Sequence, residues 1–491
     1  MKKRRILSIA LALGIVGMAV AQNPKREFRG AWLHTVFQEQ YHKQSTAENK
    51  AYLTDQLDKL KAAGVNAVIF QVRPQADAFY PSKLEPWSRF LTDGGKAPEP
   101  FWDPLQFMID ECHSRGLELH AWLNPYRVTT SAKQTLPKGH IYHSHPERFL
   151  KYGGQTYFDP GLPENREFII DVVDDIVSRY DVDGIHFDDY FYPYPKKGEN
   201  FPDDASYAKY GKGMARDDWR RQNVDILIRD IHSRIQERKP WVRFGISPFG
   251  IWRNKKNDPR GSETNGLENY GDLYADVLLW ENEGWIDYVL PQLYWELEHK
   301  AASYLVLNEW WNANAGKKRH LYIGQDVGRT MTKPDLAPSA DASQLNHKIR
   351  LTREAENIKG NCWWPGYSLT ANKGGIADSL SANQQASPAL VPAYPWISQS
   401  RPAAVSGLEA TADNTLRWQA PKPEGRTADV VRFVVYRFDS EDSLDMDNAD
   451  NIVEITGRSE YSPALPGVYT VTAIDRANNE SLPCNPVVIK R

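Results

Sequence analysis

Two adjacent carboxylates, Asp188 and Asp189, present the clearest chemistry in this sequence. They follow the apolar segment 184–187 and precede an aromatic run at 190–193. Because a carboxylate is costly to remove from water, two of them at the end of a buried strand need partners, a metal ion or a catalytic role. Apolar residues at helical spacing between 168 and 180 come just before the strand. Helix, strand and acidic end in this order are typical of a (β/α) barrel, whose active site lies at the carboxyl ends of the strands.

The pair also allows two plainer interpretations. The carboxylates could cap a turn or pair with an arginine. With His186 they could hold a metal ion, but the sequence offers no further ligand at a recognisable spacing. His186 and His34 are expected to be buried histidines with hydrogen-bond partners. We therefore predict no metal and no redox or nucleotide cofactor.

Eight strand-like segments between residues 27 and 367 must position these groups. The segments are 28–37, 67–74, 117–125, 184–192, 244–249, 288–295, 320–326 and 362–367. Helical patterns follow most of them, which predicts an α/β chain folded as a TIM (β/α)8 barrel over residues 26–390. A doubly wound sheet would require a Gly-rich phosphate loop after its first strand, and residues 29–34 provide none.

The C-terminal part of the sequence has a different pattern. A Pro- and Ser-rich stretch at 388–402 predicts a linker. Beyond it, short strand-like runs separated by polar turns predict a small all-β sandwich, similar to fibronectin type III, over residues 400–491. We expect this domain to be a packing or spacing module, and glycan binding is the functional alternative.

Residues 1–21 have the features of a removable signal peptide. A basic start at 2–5 precedes an apolar run, and Ala19-Val20-Ala21 fits the small-residue cleavage rule. We expect an exported protein, periplasmic or secreted, and no membrane span, because no later run reaches about 20 apolar residues. The formal charge of −3 becomes −7 once the four basic residues are removed, which makes nucleic acid an unsuitable partner. The three distant cysteines form neither a disulfide framework nor a metal-ligand pattern.

Polar and aromatic side chains also end most of the other predicted strands. Sugars stack their C–H faces on aromatic rings and exchange hydrogen bonds with amides and carboxylates, so such residues at one barrel mouth predict a polysaccharide site. The expected substrate-binding residues are Arg73, Asp77, Trp122, Asn124, Tyr126, Arg127, Tyr190, Tyr192, Gln292, Tyr294, Trp295 and Trp364. Trp122 could instead belong to the barrel core, and Asp77 could pair with Arg73.

Five motifs carry a more specific signal. They are FRGAW at 28–32, QVRP at 71–74, WLNPYR at 122–127, DGIHFDDY at 183–190 and PQLYW at 291–295. Through these motifs, in this order, residues 26–370 resemble a glycosyl-hydrolase-like TIM-barrel family once catalogued as a domain of unknown function. That family includes bacterial envelope enzymes that cut peptidoglycan glycan strands lacking stem peptides. The resemblance implies a TIM-barrel glycoside hydrolase, with peptidoglycan strands as the leading substrate.

A more distant likeness concerns the choice between the two aspartates. The segment 183–188 resembles the strand-four motif of the α-amylase superfamily, in which the last Asp is the nucleophile. This likeness favours Asp188 as the nucleophile or base. The amylase pattern is broken elsewhere, since His186 replaces its Arg and Ser247 stands at the end of strand five in place of its acid/base Glu.

The second carboxyl group is left open by the sequence. Glycoside hydrolysis uses one carboxyl group to protonate the leaving oxygen and another to attack or to activate water. Asp189, Glu296, Asp77 and Asp326 are the candidates. Glu296 follows Tyr294-Trp295, and such hydrophobic surroundings suit a proton donor.

Two other functions fit the same sequence. A non-catalytic glycan-binding protein would keep the cleft without the chemistry, so that its saccharide binding survives Asp188→Asn and no reducing ends are released. A scaffold or adhesin would act through the sandwich, and residues 400–491 alone would then bind the partner.

Overall fold

The structure is a computed structural model that describes residues 23–330, 344–422, 425, 427–442 and 444–490. The predicted signal peptide, residues 1–21, lies outside the described residues. Within them, no helix combines the length and the apolar character needed to cross a bilayer. All three cysteines are free.

Strands and helices alternate through most of the chain, and the described residues after 400 form strands and one short 3-10 helix, Ala449–Asn451. The strands are β1 (Phe28–Leu33), β2 (Ala67–Arg73), β3 (Glu118–Leu123), β4 (Phe149–Tyr152), β5 (Gln155–Phe158), β6 (Gly184–Phe187), β7 (Arg243–Ile246), β8 (Tyr288–Val289), β9 (His320–Asp326), β10 (Ile358–Trp364), β11 (Ser406–Ala410), β12 (Leu416–Gln419), β13 (Val430–Phe438), β14 (Ile452–Thr456), β15 (Glu460–Tyr461), β16 (Gly467–Asp475) and β17 (Val487–Ile489). The α-helices are α1 (Gln40–Lys43), α2 (Thr46–Ala62), α3 (Pro104–Ser114), α4 (Pro163–Arg179), α5 (Asp204–Tyr210), α6 (Arg216–Arg238), α7 (Asn269–Asp272), α8 (Val277–Glu283), α9 (Tyr304–Asn314), α10 (Val327–Thr330), α11 (Gln344–Glu354), α12 (Gly366–Thr370) and α13 (Ile376–Ala382).

Eight parallel strands close into a barrel in the order β1-β2-β3-β6-β7-β8-β9-β10, and β10 pairs with β1. The predicted TIM barrel is confirmed. Most strands end earlier than predicted, for example β6 at Phe187, because the polar and aromatic residues that follow leave the ladder and form the barrel mouth. The antiparallel pair β4–β5 is an addition that the strand pattern misses. Its turn contains Gly153 and Gly154, whose φ angles of 55° and 77° favour glycine.

Large aromatic rings fill the barrel interior, where branched aliphatic residues are common in this fold. The ring centroids of Tyr288 and Tyr322 lie 5.4 Å apart. Glycines on neighbouring strands make room for such rings: a Cβ on Gly245 would lie 1.9 Å from the Tyr288 ring, and one on Gly184 would lie 2.7 Å from His120 Nδ1. The glycine between Asp183 and the acidic pair is therefore a packing requirement of the barrel.

Two small antiparallel sheets form the C-terminal part, in the orders β11-β12-β15 and β14-β13-β16-β17. They share one core, in which Leu416 and Trp418 of the first sheet pack with Val435 and Tyr469 of the second. Two sheets on a common core form the small all-β sandwich that the sequence predicts. The closer likeness to fibronectin type III stays a prediction.

The segment 388–402, predicted as a linker, is packed under the barrel. Leu390 pairs with residues 25 and 27 through backbone hydrogen bonds of 2.8 and 2.9 Å. Tyr394 is fully buried, and Trp396 donates its indole N–H to Asp287 at 2.7 Å. Asp287 immediately precedes β8, so the segment covers the amino-terminal end of the barrel. The aromatic residues between the prolines supply the apolar surface that a free linker lacks.

A buried cluster of charges joins the sandwich to the barrel. Glu118 at the start of β3 accepts hydrogen bonds from Arg243 of β7 at 2.7 Å and from Arg432 of β13 at 3.0 Å. Asn478 of the sandwich donates to the same carboxylate oxygen at 3.0 Å. Burial alone would raise the pKa of Glu118, but the two guanidinium charges outweigh it and hold that pKa well below its usual range. The sandwich therefore helps to neutralise a carboxylate of the barrel.

Arg432→Met should lower the free energy of unfolding by about 3 kcal/mol at pH 7, because removing one partner leaves a buried carboxylate with too little positive charge. Urea unfolding followed by circular dichroism measures the loss. Arg417→Met is the matched control. Its pair with Glu460, at 3.5 Å, is more than half exposed on both sides, so the control should change the free energy of unfolding by less than about 0.5 kcal/mol. Equal losses in both variants would contradict the neutralising role of Arg432.

Candidate active site

The carboxyl ends of the barrel strands converge on Asp188. This residue follows β6 directly and is 3% exposed. Trp122 of β3 donates its indole N–H to Asp188 Oδ2 at 3.1 Å, and Asn124 Nδ2 lies 3.3 Å from both carboxylate oxygens. The backbone N–H of Tyr190 donates to Oδ1 at 3.4 Å. The end of β3 and the loop after β6 therefore fix this carboxyl group together.

Burial and a second carboxylate change the acidity of Asp188. Burial is the larger cause, and the charge of Asp189 adds to it, so that the pKa of Asp188 rises to about 7. Burial also raises the pKa of Asp189. Because two adjacent buried carboxyl groups resist carrying two negative charges, burial and mutual repulsion favour the state with one proton and one charge. In this state a carboxyl pair can supply an acid and a base.

Asp189 has its own set of partners. Tyr194 donates its hydroxyl to Asp189 Oδ2, and Gln292 lies within hydrogen-bonding reach of the same carboxyl group. Gln292 is itself fixed by a 2.9 Å hydrogen bond from its Nε2 to the Ser247 carbonyl. The residues that follow β7 and β8 thus help to position Asp189, whereas β3 positions Asp188.

Arg127 supplies the positive charge beside the pair. Its Nε and Nη2 donate to the Pro74 carbonyl at 3.3 and 2.9 Å, and its guanidinium lies 4.9 Å from the centre of the Tyr190 ring. Asn124 Oδ1 accepts the Arg127 backbone N–H at 3.1 Å. Burial dominates the pKa of Asp188, and Arg127 opposes the rise without cancelling it.

A chain of hydrogen bonds runs along the barrel axis below the pair. His120 Nε2 lies 3.1 Å from Glu118 Oε2, and the Tyr288 hydroxyl oxygen lies 2.9 Å from both His120 Nδ1 and His186 Nδ1. His186 Nε2 accepts the Trp32 indole N–H at 3.2 Å and lies 2.9 Å from Ser247 Oγ. The chain therefore reaches from the base of the barrel to the layer beneath the acidic pair.

One proton arrangement satisfies every member of this chain. His120 Nε2–H donates to Glu118, the Tyr288 hydroxyl donates to His120 Nδ1, and His186 Nδ1–H donates to the Tyr288 oxygen. Burial lowers the pKa of His186 well below its usual value, so its ring is neutral. His186 is thus a buried histidine with hydrogen-bond partners. Across the described part of the chain, no group of three or more His, Cys, Asp or Glu side chains is placed to hold a metal ion.

Half-exposed aromatic rings border the mouth on two sides. On the first side, four rings contact one another in a row, and the centroids of neighbouring rings lie 5.5 to 6.1 Å apart. They are Tyr190, Tyr194, Phe249 and Trp295. On the second side, Trp364 meets Trp122 edge-on at 6.1 Å.

Burial, together with neighbours that include Asp189, raises the pKa of the Tyr294 hydroxyl well above its usual value. The predicted residues Tyr190, Gln292, Tyr294, Trp295 and Trp364 are all half-exposed at this mouth. Rings in such positions can stack on sugar faces.

Arg73 is not a substrate-binding residue, contrary to prediction. Its side chain is fully buried and pairs with Glu85 through hydrogen bonds of 2.6 and 2.7 Å, instead of with Asp77. It also donates to the backbone carbonyls of Asn124 and Pro125. Arg73 therefore fixes the end of β3, on which Asp188 depends.

Tyr126 and Tyr192 were predicted at the cleft, and both are buried in the barrel wall. Tyr126 has no exposed surface. Tyr192 meets Tyr274 edge-on at 5.0 Å, and its hydroxyl accepts a hydrogen bond from Asn223 of α6 at 3.4 Å. Both predictions are wrong because these side chains leave the mouth and pack behind the strands.

Asp77 and Glu296 lie apart from the acidic pair. Asp77 accepts hydrogen bonds from Ser88 Oγ at 2.9 Å and from the Arg89 backbone at 3.3 Å, and it lines a separate cavity. Glu296 is half-exposed on the loop after β8, close enough to the buried Lys348 for their charges to interact. Neither carboxyl group is hydrogen-bonded to the pair within the described residues.

Tyr194 is a site residue that sequence reasoning misses. The aromatic run at 190–193 stops short of it, yet Tyr190, Tyr192 and Tyr194 alternate in the sequence. That alternation could have predicted Tyr194 at the site, because residues two positions apart in an extended chain point to the same side. In the structure, Tyr190 and Tyr194 lie at the mouth and Tyr192 does not.

Comparison with known proteins places this barrel in a family. The family described as glycosyl hydrolase-like 10 matches residues 27–336. A Bacillus subtilis (strain 168) protein named glycosyl hydrolase YngK is 39% identical over 496 residues, which cover 97% of each chain. This chain belongs to the glycosyl hydrolase-like 10 family. Its activity class is therefore glycoside hydrolysis, and its substrate is a carbohydrate.

Two further proteins are similar to a smaller part of this chain. The Escherichia coli (strain K12) protein named glycosyl hydrolase DigH is 38% identical over 370 residues, 70% of this chain and 83% of that one. Among solved structures, α-L-fucosidase isoenzyme 2 from Paenibacillus thiaminolyticus superposes with a TM-score of 0.46 at 12% identity, over 72% of this chain and 49% of that one.

Asp188→Asn should remove a pH-dependent loss of stability. With a pKa of about 7, wild-type Asp188 binds a proton on folding between about pH 4 and pH 7, so the free energy of unfolding falls as pH rises through this window. Asparagine does not titrate. The free energy of unfolding of the variant minus that of wild type should therefore be about 2–4 kcal/mol larger at pH 8 than at pH 4. Urea unfolding at both pH values measures this difference.

Asp442→Asn, at an exposed turn of the sandwich, serves as the control. Its difference from wild type should stay constant with pH within about 0.5 kcal/mol. A constant difference for Asp188→Asn as well would mean that Asp188 is ionised across the whole range, against the present assignment.

Proposed function

We propose that the protein is an exported glycoside hydrolase that cleaves the glycan strands of peptidoglycan. The observation that carries the proposal is the buried pair Asp188 and Asp189, two adjacent carboxyl groups at the mouth of a TIM barrel. The half-exposed rings around the pair suit a polysaccharide. The choice of glycan is supported by the five motifs of the barrel, and export by the character of residues 1–21.

We assign Asp188 the role of proton donor. A donor must hold its proton at the working pH, whereas a nucleophile must be ionised. A pKa of about 7 suits the donor. This assignment departs from the likeness to the α-amylase motif, which implied a nucleophile at this position.

The proposed reaction is acid–base hydrolysis. As the bond between C1 and the glycosidic oxygen breaks, Asp188 transfers its proton to that oxygen. The ionised Asp189, held by Tyr194 and Gln292, stabilises the positive charge that develops at C1 and accepts a proton from the water that adds there. One water molecule is consumed for each glycosidic bond broken.

Asp188→Asn should lower kcat/KM by about 10²–10⁴-fold on peptidoglycan glycan freed of its stem peptides, because the leaving oxygen is no longer protonated. Release of soluble reducing saccharides measures this loss. A 4-nitrophenyl glycoside of a short piece of the same glycan has a leaving group that needs no proton. On that substrate the variant should lose less than about tenfold. Equal losses on both substrates would mean that Asp188 is the nucleophile or base.

Asp189→Asn and Glu296→Gln separate the candidates for the second carboxyl group. Asp189→Asn should lose activity on both substrates, because a better leaving group does not replace a base. Glu296→Gln should stay within about threefold of wild type. If Glu296→Gln loses activity on both substrates instead, the second group is Glu296. If wild type binds the stripped glycan and releases nothing, the protein is a glycan-binding protein and the proposed reaction is wrong.

The pH dependence of kcat/KM should be bell-shaped. Activity should fall above about pH 7, because the pair then loses the proton that Asp188 donates, and it should fall in acid as Asp189 gains one. On the nitrophenyl glycoside, Asp188→Asn should lack the alkaline fall. Initial rates from pH 4 to pH 9 measure both profiles, and a wild-type profile that is flat from pH 6 to pH 9 would contradict the assignment.

A further inference from the structure

A second cavity opens beside the active site, beyond Arg127. It has a volume of about 520 Å³ and lies between residues that follow β2 and residues 133–140 of the loop after β3. Arg127 donates to the carbonyl of Pro74, the residue next to Gln75 in this cavity, so the cavity and the acidic pair are neighbours. The lining residues that carry its chemistry are Gln75, Asp77, Trp87, Arg89, Lys133 and Lys138.

Two residues that line this cavity each carry a buried acceptor atom without a donor among the described residues. Gln75 and Asp77 are 2% and 6% exposed, and within the described part of the chain neither Gln75 Oε1 nor Asp77 Oδ1 has a hydrogen-bond partner. The other ends of these side chains are engaged, since Gln75 Nε2 and Ser88 Oγ both donate to Asp77 Oδ2, at 3.4 and 2.9 Å. An unsatisfied buried acceptor is costly. A ligand donor, such as a sugar hydroxyl, would satisfy either oxygen.

The rim of the cavity is positively charged. Arg89, Lys133 and Lys138 are exposed there, and Asp93, on the same rim, lies 3.2 Å from His42. Three cations against the two lining carboxyl groups, Asp77 and Asp93, leave an excess of positive charge in the cavity. Such a rim suits a ligand that carries both hydroxyl groups and an anion.

Aromatic surface lies next to the charged rim. Trp87 is half-exposed in the cavity, and Phe37, which is 65% exposed, lines an adjoining hollow together with Arg89. The Phe37 backbone has a φ of 62°, a conformation that a phenylalanine adopts only with strain. Strained backbone concentrates at binding and catalytic sites, so this exposed ring is consistent with a surface built to contact a ligand.

We propose that this cavity is a distal subsite of the glycan cleft that takes a sugar bearing a free carboxylate. This inference rests on the proposed function. In peptidoglycan, the sugar concerned is the one whose O-lactyl group ends in a carboxylate once the stem peptide is gone. Its hydroxyls donate to Gln75 and Asp77, its ring lies against Trp87, and its carboxylate pairs with Lys133 and Lys138. A stem peptide would convert that carboxylate into an amide and add bulk, so the subsite selects strands that have lost their peptides.

The test combines chemical modification with mutation. Stripped glycan is compared with the same glycan after its lactyl carboxylates have been coupled to methylamine, which removes the charge. Wild type should show a KM about 5–20-fold higher on the amidated glycan, with kcat changed less than about twofold. Lys133→Ala/Lys138→Ala should raise KM on the unmodified glycan by a similar factor and show no further rise on the amidated one.

Lys317→Ala/Lys318→Ala is the matched control. It removes the same two charges from the loop before β9, at the opposite end of the barrel, and should keep the wild-type response to amidation. Raising the ionic strength from 50 to 500 mM should increase the KM of wild type and of the control on unmodified glycan, and leave that of Lys133→Ala/Lys138→Ala almost unchanged.

Asp77→Asn tests the buried acceptors. Because Ser88 and the Arg89 backbone donate to Oδ2, the amide oxygen should occupy that place and the amide N–H₂ should face the cavity. KM should rise about 3–10-fold on both glycans, with kcat within about twofold of wild type. Urea unfolding checks that the variant is folded, and an unchanged KM in a folded variant would rule out a ligand contact at Asp77.

The outcomes separate this subsite from the proposed function. If wild type cleaves both glycans with the same KM, the subsite is wrong and the proposed function stands. If wild type cleaves neither glycan, the proposed function fails and the subsite fails with it. If the lysine variant is as sensitive to amidation as wild type, the two lysines do not contact the carboxylate.

Discussion

The hydrogen-bonded ion pairs of Glu118 with Arg243 and Arg432 are the interaction on which the rest of the structure depends. A carboxylate at the base of a closed barrel is cut off from water, and it is strongly destabilising unless cations reach it. The barrel contributes Arg243 and the sandwich contributes Arg432. With its charge neutralised, Glu118 can accept from His120, and the chain of hydrogen bonds continues to His186 beneath the acidic pair.

The pKa of a buried carboxyl group is shifted in opposite directions at the two ends of the barrel. At the base, two guanidinium groups outweigh burial, and the pKa of Glu118 falls. At the mouth, burial and Asp189 outweigh Arg127, whose N–H groups are partly used on the Pro74 carbonyl, and the pKa of Asp188 rises. The number of cations within reach makes the difference. The base is therefore held in one charged state, while the mouth can exchange a proton near neutral pH.

The fold follows from sequence because the signals are local and repeated. Eight apolar runs alternate with helical patterns, and each run carries its own evidence of strand or helix. Asp188, Trp122 and Asn124 were predicted from strand ends, and the structure brings them within hydrogen-bonding distance. Parallel strands in a barrel place such residues at one mouth whatever the lengths of the loops between them.

The orientation of individual side chains does not follow from the same signals. Arg73 is the last residue of β2, and Trp122 is the last but one of β3. The partner of Arg73, Glu85, lies twelve residues away in a loop, and no periodic pattern in the sequence indicates that pair. Tyr190 and Tyr192 differ by two positions in one aromatic run, and the path of an irregular loop sends the first to the mouth and the second towards α6. For residues that follow the last hydrogen bond of a barrel strand, contacts with distant parts of the chain determine which side chains face the mouth.

The charge shared across the base of the barrel also bears on how such proteins can evolve by exchange of parts. A barrel that carries Glu118 is stabilised by C-terminal modules that present a cation and an amide at the places of Arg432 and Asn478. Recombination with any other module would leave Glu118 with Arg243 of the barrel and without the cation that the sandwich supplies. A lineage that loses or exchanges its sandwich is therefore expected to change the first residue of β3 as well.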